Sequence, residues 1–342
     1  MLELADVTAA RERIGPYIRH TPLLRLEALD KPAGFEVYIK PENLQTTGSF
    51  KLRGASNKLL SLSAKERQRG VIAASSGNHA QGVAAIAARL GVDALIVMPK
   101  DAPALKVAGT QAWGAKVVRH GLLSSEREAR MRELAAAEGR VIVHPYGDEA
   151  VKAGQGTAAL EILEDEPNIT AIVAPVGGGG LISGLATAAK GQKPGLIMVG
   201  VEPIAAARYS LSRAAGQPLT IETGYTIADG TRGNYASPVN YPVIEARVDK
   251  LVSVDDEMLQ AAIYAYAKLA KLVTEPSGAL PLAALLSGKL GFLKGQKVCL
   301  IISGGNLDFD LYADWLEAGA KTFEKIINDE QWREKTSAGI LR

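Results

Sequence analysis

Cysteine is almost absent from this sequence, and neither sign of charge dominates it. The single cysteine, Cys299, lies in an apolar run at 298–302, so it cannot form an internal disulfide and is expected to be a buried strand thiol. The formal net charge of the 342 residues is +2, which gives no reason to expect a nucleic acid or an acidic membrane surface as a partner. Residues 1–11 are charged throughout and lack an apolar stretch, so no secretory signal is expected. These absences favour a cytoplasmic globular protein.

A membrane-spanning helix is not expected either. Residues 171–189 are uncharged over about the length of a membrane span. They contain Pro175 and four consecutive glycines, which would break a spanning helix in its middle.

The sequence does contain a regular alternation of short apolar runs and helical patterns. Strands are predicted at Val37–Lys40, Val71–Ala74, Ala94–Met98, Lys116–Val118, Val141–His144, Thr170–Ala174, Ile197–Val201 and Val298–Ile302. Helices are predicted at Lys51–Ser61, His79–Leu90, Glu126–Glu138, Val151–Leu163, Leu181–Lys190, Asp256–Leu272, Gly278–Leu286 and Leu311–Ile327. This alternation is typical of α/β proteins with mostly parallel twisted sheets, whose strands are buried on both faces.

The arrangement along the chain predicts two domains. The block 71–143 repeats strand and helix three times with short connections. It predicts a small domain at residues 66–146, nested in a large domain of residues 1–65 and 147–342. The last residues are polar and are expected to be frayed.

A glycine-rich turn is the first candidate binding segment. An apolar strand ends at Pro175, and a helix of small residues starts at Leu181; between them stand Gly177, Gly178, Gly179 and Gly180. Glycines let several main-chain N–H groups point at one spot, and the helix start adds a partial positive charge. The turn therefore predicts an anion site suited to a phosphate.

The glycines alone leave the phosphate compound open. A nicotinamide dinucleotide is one alternative, because Glu202 lies after the next strand, where an acid that binds ribose is expected. The glycine spacing matches that fingerprint only in part. A nucleotide triphosphate is poorly supported, since no lysine follows the glycines.

A lysine at an unfavourable helix position is the second candidate. The polar loop after Asn43 leads into a helix that is predicted to open near Ser49, a candidate cap. Lys51 then lies in the first turn, where the helix dipole disfavours a cation. The same positive end lowers the pKa of the amine and favours its neutral, nucleophilic form. A solvated surface lysine is the alternative.

Two further turns follow predicted strands. The turn at 75–79 has free N–H groups and hydroxyls that suit a carboxylate, with an ordinary capped helix as the alternative. Ser303 follows the last predicted strand. Ligands of parallel α/β sheets bind beyond the carboxyl ends of the strands, so these turns are expected to converge.

Together these segments resemble the fold-type II pyridoxal-phosphate (PLP) enzymes, specifically the threonine/serine dehydratases and serine racemases. The resemblance runs from about Arg19 to Asn306 and implies a tryptophan-synthase-β-like α/β fold whose large domain binds PLP. It implies that Lys51 is the Schiff-base lysine, with Phe50 packed beside it. It further implies that the cofactor phosphate lies on Gly177, Gly178, Gly179, Gly180 and Leu181, the phenolic oxygen faces Asn78, the pyridine nitrogen faces Ser303, and the substrate carboxylate is held by Ser75, Ser76, Gly77 and His79.

The implied activity is removal of the β-hydroxyl from a small hydroxy-amino acid such as threonine or serine, which yields a 2-oxo acid and ammonia. Ser303, unlike an aspartate, does not require a protonated pyridine ring, and this favours elimination over transamination. Lys51 is expected to take the α-proton, and Ser76 is the candidate that protonates the opposite face. Tyr146, after His144 and Pro145, resembles the dehydratase pattern, whereas an asparagine stands there in eukaryotic racemases.

Several alternatives stay open at the level of sequence. They are a racemase, a dehydratase of 3-hydroxyaspartate or of a hydroxyectoine-derived substrate, a nicotinamide-dependent oxidoreductase and a non-catalytic binding protein. A homodimer is expected by analogy with relatives.

A metal ion is not predicted. Many relatives bind Mg²⁺ or Ca²⁺ through a glutamate, a carbonyl four residues on and an acid two residues further. Here these positions are Glu202, Ala206 and Arg208, and the cation at the third position would repel a metal. An ion pair between Glu202 and Arg208 is the hypothesis for what replaces it.

Overall fold

The structure, a computed structural model, describes residues 2–75, 77–102 and 104–329. Within these ranges the strands are β1 Leu24–Arg25, β2 Glu36–Pro41, β3 Val71–Ala74, β4 Ala94–Met98, β5 Lys116–Arg119, β6 Val141–Ile142, β7 Ala171–Pro175, β8 Ile197–Pro203, β9 Lys250–Val254 and β10 Lys297–Ile302. The helices are α1 Leu4–Ile14, α2 Asp30–Ala33, α3 Lys51–Ser61, α4 Ala64–Arg69, α5 Asn78–Leu90, α6 Ala104–Gln111, α7 Ser124–Glu138, α8 Glu149–Asp165, α9 Gly180–Gln192, α10 Arg208–Ala215, α11 Tyr241–Arg247, α12 Asp256–Ala265, α13 Pro276–Leu286 and α14 Phe309–Asn328.

These strands form two sheets, as the α/β pattern predicts. The larger sheet has the order β1-β2-β10-β7-β8-β9, and only the β1–β2 pair is antiparallel. The smaller sheet has the order β5-β4-β3-β6, with every pair parallel. The strands of the smaller sheet all come from the block 71–143, and α5, α6 and α7 connect them along the chain. The proposed domain limits at 65/66 and 146/147 remain predictions.

The central strand β10 shows why its sequence is continuously apolar. Its alternate residues enter two cores: Val298, Leu300 and Ile302 pack with α12 and α13, while Cys299 and Ile301 pack with α8 and α9. Cys299 is fully buried and has a free thiol, as predicted. Each fully buried aliphatic side chain of β10 contributes about 1.5–3 kcal/mol to the stability of the fold, relative to an exposed side chain.

Two local predictions are wrong at their ends. The helix predicted at Asp256–Leu272 is α-helical only to Ala265 and then forms a π turn, Tyr266–Ala270, after which Lys271 has a positive φ of 59°. The strand predicted at Val141–His144 pairs only at Val141–Ile142. Elements such as α1, α10 and β9 were not predicted. The polar tail beyond residue 329, expected to be frayed, lies outside the described residues.

Ser49 does not cap α3, contrary to the prediction. The residue before the helix is Phe50, and it makes no side-chain capping bond. Ser49 is instead held by its main chain, which forms a bridge with Gly304 after β10, and its buried hydroxyl has no partner among the described residues. The bridge places Lys51 at the first position of α3, next to the carboxyl end of the larger sheet.

A buried ionic network anchors α3 just after Lys51. The Arg53 guanidinium is fully buried and donates to both carboxylate oxygens of Glu42 and of Glu161, at 2.6–2.7 Å. Lys40 of β2 pairs with the same Glu161 at 2.8 Å. The network therefore ties α3 to β2, to the turn after it and to α8.

The uncharged segment 171–189 is not a membrane span. It consists of β7, the glycine turn and most of α9. Among the described residues, no helix combines the length and the apolar character that crossing a membrane requires.

Candidate active site

A cavity of about 750 Å³ lies beyond the carboxyl ends of the strands and is lined by residues from both sheets. It brings together nearly all of the predicted site residues: Phe50, Lys51, Ser75, Gly77, Asn78, His79, Gly177, Gly178, Gly179, Gly180, Leu181 and Ser303. Ser76 lies outside the described residues. The expected convergence of the three turns that follow strands is therefore confirmed for the residues that the structure describes.

The glycine turn directs its carbonyl groups into hydrogen bonds with the surrounding protein. The Gly177 carbonyl accepts from the Arg208 guanidinium, and the Gly178 carbonyl accepts from the Tyr209 hydroxyl at 2.9 Å and from Asn240 Nδ2 at 2.7 Å. The main-chain N–H groups of residues 177–180 have no acceptor among the described residues. Free N–H groups at the start of α9 form an anion site of the predicted kind.

Tyr146 makes glycine necessary in this turn. A Cβ on Gly178 would lie 2.3 Å from the Tyr146 ring, and a Cβ on Gly180 would lie 2.8 Å from the Tyr146 main chain. Gly179 has a φ of +86°, which side-chain-bearing residues rarely adopt. The Tyr146 hydroxyl shares a hydrogen bond with the Tyr235 hydroxyl on the same cavity wall.

Lys51 presents a primary amine in this cavity. Its Nζ donates to the Pro145 carbonyl at 2.8 Å and lies 5.1 Å from the centre of the Phe50 ring. Among the described residues no carboxylate forms an ion pair with it. Burial lowers the pKa of Lys51 to about 8, and the charge of Glu275 opposes that shift. A substantial fraction of the amine is therefore neutral near physiological pH, which a nucleophile requires.

Asn78 is held by a carboxylate that the sequence analysis missed. Its Nδ2 lies 2.8 and 3.0 Å from the two carboxylate oxygens of Glu275, and its Oδ1 accepts from Asn306 at 2.8 Å. Burial raises the pKa of Glu275 to about 8. Asn78 thus has a fixed orientation at the cavity wall before any ligand binds.

His79 is buried and uncharged. Its Nε2–H donates to the Val143 carbonyl at 2.8 Å, which leaves Nδ1 as an acceptor without a partner among the described residues. Burial, together with the charge of Lys51, lowers the pKa of His79 to about 3. The ring therefore cannot supply positive charge to a substrate carboxylate at neutral pH.

The remaining predicted residues lie at the ends of strands. Ser75 follows β3, and its hydroxyl accepts a hydrogen bond from the Gly77 N–H at 3.3 Å. Gly77 immediately precedes α5, which has no side-chain cap. Ser303 follows β10 and is joined to the lysine loop through its carbonyl, which accepts from the Phe50 N–H at 3.0 Å.

The predicted ion pair between Glu202 and Arg208 is wrong. The Glu202 carboxylate accepts from the N–H groups of Tyr209 and Ser210 at 2.9 and 2.8 Å, where α10 begins and N–H groups lack helical partners. Arg208 turns instead to three main-chain carbonyls. The absence of a metal ion remains a prediction.

The sequence analysis did not select four residues of this region: Glu275 and Tyr235, which line the cavity, and Tyr209 and Asn240, which hold the Gly178 carbonyl. Glu275 carries the clearest signal, because an acid immediately before Pro276, the first residue of α13, stands at the start of a helix. The other three lie in segments without a motif, and only the tertiary structure brings them to the glycines.

These features fit PLP. The unpartnered N–H groups of the glycine turn suit its phosphate, the amine of Lys51 suits its aldehyde, and the cavity has the size of a typical cofactor site. Ser303 offers a hydroxyl rather than a carboxylate at the end of the central strand.

Comparison with known proteins agrees with this reading. A family model described as pyridoxal-phosphate dependent enzyme matches residues 14–304. The chain is 43% identical over 324 residues to the catabolic L-threonine dehydratase TdcB of Staphylococcus aureus, covering 93% of each protein.

Solved structures lead to the same family. A serine racemase from Dictyostelium discoideum has a TM-score of 0.85 and 37% identity, and the match covers 90% of this chain and 99% of that one. The processed form of threonine deaminase isoform 2 from Solanum lycopersicum has a TM-score of 0.87 and 35% identity, with 92% of each chain covered. Because the family match spans most of the chain, from α1 to the turn after Ser303, this protein belongs to the pyridoxal-phosphate dependent enzymes of fold type II.

Proposed function

We propose that this enzyme is an ammonia-lyase that converts a small β-hydroxy-amino acid, threonine or serine, into a 2-oxo acid and ammonia. The observation that carries the proposal is the Lys51 amine, which lies in the same cavity as the glycine turn and, within the described ranges, is not paired with a carboxylate. The names of the relatives, among them L-threonine dehydratase, support this substrate class.

Each residue of the site has a proposed task. Lys51 attaches the cofactor, and when the substrate amine displaces it, its neutral Nζ takes the α-proton. The N–H groups of Gly177, Gly178, Gly179 and Gly180 hold the phosphate, with Leu181 at the start of α9. Asn78 orients the phenolic oxygen, Ser303 faces the ring nitrogen, and Phe50 packs beside Lys51. When bound, PLP supplies the electron sink for the α-carbon.

Substrate recognition is assigned to the turn after β3. We propose that the main-chain N–H groups and hydroxyls of Ser75, Ser76, Gly77 and the helix start at His79 hold the substrate carboxylate. Ser76 is also the proposed proton donor on the opposite face. The neutral state of His79 means that hydrogen bonds, rather than a charged ring, hold the carboxylate.

The assembly and the location of the enzyme are two further proposals. We propose a homodimer, by analogy with relatives, and a cytoplasmic location, in keeping with the single buried cysteine. Light scattering of the purified holoenzyme tests the first, and a monomer would reject it.

The test of the activity is a substrate panel with a lysine variant. Purified holoenzyme is incubated with threonine, serine and 3-hydroxyaspartate, and the 2-oxo acid and ammonia are measured; chiral analysis of serine detects racemisation. Lys51→Ala is expected to lose turnover by about 10³-fold or more and to lose the visible absorbance of the linked cofactor. Lys58→Ala, on the same helix but paired with Asp148, serves as the control and is expected to keep both. Full turnover by Lys51→Ala would reject the proposal.

A further inference from the structure

Three main-chain carbonyls converge on the guanidinium of Arg208, and one of them belongs to the glycine turn. Nη1 donates to Ala206 at 3.0 Å and to Thr231 at 2.9 Å, while Nη2 donates to Gly177. Arg208 is 1% exposed and contributes to the cavity wall. One side chain therefore joins the glycine turn to the turn at 204–206 and to the turn at 229–231.

The charge of Arg208 has no contacting anion among the described residues. Glu202 attracts it, but both carboxylate oxygens of Glu202 are taken by N–H groups at the start of α10. A buried cation without a contacting anion is costly, so filling space does not explain an arginine here. The cavity beside it is the proposed place of a phosphate.

The hydrogen bond to Gly177 also sets the direction of the next N–H group. In a trans peptide the C=O of one residue and the N–H of the following residue point to opposite sides. Holding the Gly177 carbonyl on Arg208 therefore turns the Gly178 N–H away from Arg208. Tyr209 and Asn240 hold the Gly178 carbonyl and set the Gly179 N–H in the same way.

We propose that Arg208 is a positioning residue for the cofactor phosphate. It fixes the peptide between Gly177 and Gly178, so that the Gly178 N–H is ready to donate, and its buried charge adds to the attraction for the phosphate. This inference rests on the proposed function, in which the glycine turn holds the phosphate.

The test compares PLP with pyridoxal, which has the same aldehyde but no phosphate. The apoprotein is titrated with each compound, and the dissociation constant of pyridoxal divided by that of PLP isolates the part of the affinity that the phosphate supplies. In Arg208→Met this ratio is expected to fall about tenfold or more, since hydrogen bonds to charged groups are lost, while the affinity for pyridoxal changes by less than about twofold.

Arg213→Met is the matched control. Arg213 lies on the same helix, also donates to two main-chain carbonyls and pairs with Glu245, but it does not contact the glycine turn. Its loss is expected to lower stability and to leave the ratio of the pyridoxal to the PLP dissociation constant unchanged. If Arg208→Met does not fold, Arg208→Lys replaces it, and the ratio is expected to fall at least about threefold, because lysine lacks the planar fork.

The outcomes separate this inference from the proposed function. A wild-type apoprotein that binds pyridoxal as tightly as PLP would reject the phosphate site itself. A wild-type preference for PLP that Arg208→Met or Arg208→Lys leaves intact would reject only the role of Arg208. A ratio that falls equally in Arg213→Met would show that the effect comes from α10 as a whole, and this too would reject it.

Discussion

At the scale of single residues, Glu275 adds most to the picture of the site. It is an acid buried beside Asn78, and its raised pKa of about 8 arises first from burial. The hydrogen bonds from Asn78 and the charge of Lys51 lower that pKa, but burial outweighs them. Near neutral pH the Glu275 carboxyl is therefore largely protonated in the native apoprotein.

This protonation predicts a pH dependence of stability. The folded pKa of about 8 lies above the ordinary glutamate pKa of 4.5, so the native state keeps a proton that the unfolded chain has released. Stability from this group is therefore full below about pH 4.5 and is lost as the pH rises through 8. Urea unfolding of the apoprotein should show that wild type loses up to about 1.4 kcal/mol per pH unit relative to Glu275→Gln.

The window between about pH 6.5 and 8 is the most informative for Glu275, because His79, with a lowered pKa of about 3, contributes mainly below it. Lys51, lowered to about 8, contributes mainly above it. Glu324→Gln removes an exposed carboxylate of α14 and serves as the control. Parallel pH profiles for wild type and Glu275→Gln would show that Glu275 is ionised throughout.

At the scale of elements, α3 carries Lys51 and is fixed by the charges around Arg53. The side chains of Arg53 and Glu42 are fully buried, and that of Glu161 is 4% exposed. Removing the cation leaves the Glu42 carboxylate in a dry environment without a cationic partner, and it leaves Glu161 with Lys40 alone. That state is much less favourable than a network in which every charge is paired.

Arg53→Met is accordingly expected to lower the free energy of unfolding by about 3–5 kcal/mol. Arg11→Met provides the comparison, because Arg11 pairs with Glu164 of α8 at the surface and such pairs contribute about 0–1 kcal/mol. Denaturant unfolding of both variants measures the difference. Similar small losses in the two variants would mean that the Arg53 network does not hold α3 in place.

At the scale of the whole molecule, the cavity lies between elements of two sheets. The glycine turn follows β7 and Ser303 follows β10 of the larger sheet, whereas the turn at 75–79 follows β3 of the smaller sheet. A ligand that contacts both parts binds only when both are folded. Binding is therefore linked to the stability of the entire chain.

The holoenzyme is expected to be more stable than the apoprotein in a manner that depends on PLP concentration. At a PLP concentration 100 times its dissociation constant, mass action predicts a gain of about 2.7 kcal/mol. Calorimetry of apoprotein with increasing PLP measures the shift in Tm. Pyridoxal, which lacks the phosphate, should give a smaller shift at equal concentration, and a PLP-independent Tm would contradict the link.

Much of the fold was accessible from local patterns. The apolar runs of β3, β4 and β10 and the helix limits of α3 follow from periodicity, because burial on both faces and the helical repeat leave a direct trace in the sequence. The C-terminal end of α12 could not be predicted from the sequence. Its last turn widens into a π turn before Lys271, and that change depends on packing rather than on a breaker residue.

The candidate site was predictable where backbone chemistry depends on residue type. Four glycines at a strand–helix turn and a lysine in the first turn of a helix indicate their chemistry without tertiary information. The error at Glu202 and Arg208 shows the limit of this reasoning. The metal-binding positions of relatives, which fall here on Glu202 and Arg208, suggested an ion pair in place of the metal. The N–H groups of α10 and the carbonyls of three turns proved to be the nearer partners.

The sequence by itself determined the α/β class, the family and the residues proposed for the covalent and phosphate chemistry, because these depend on residue type and on spacing along the chain. Only the tertiary structure decided which distant groups act on those residues. Glu275 meets Asn78, and Arg208 meets Gly177, across 197 and 31 positions of the chain. Burial and hydrogen-bond partners depend on how the sheets and turns pack. Local sequence patterns do not predict that packing, because it brings together residues that are far apart in the chain.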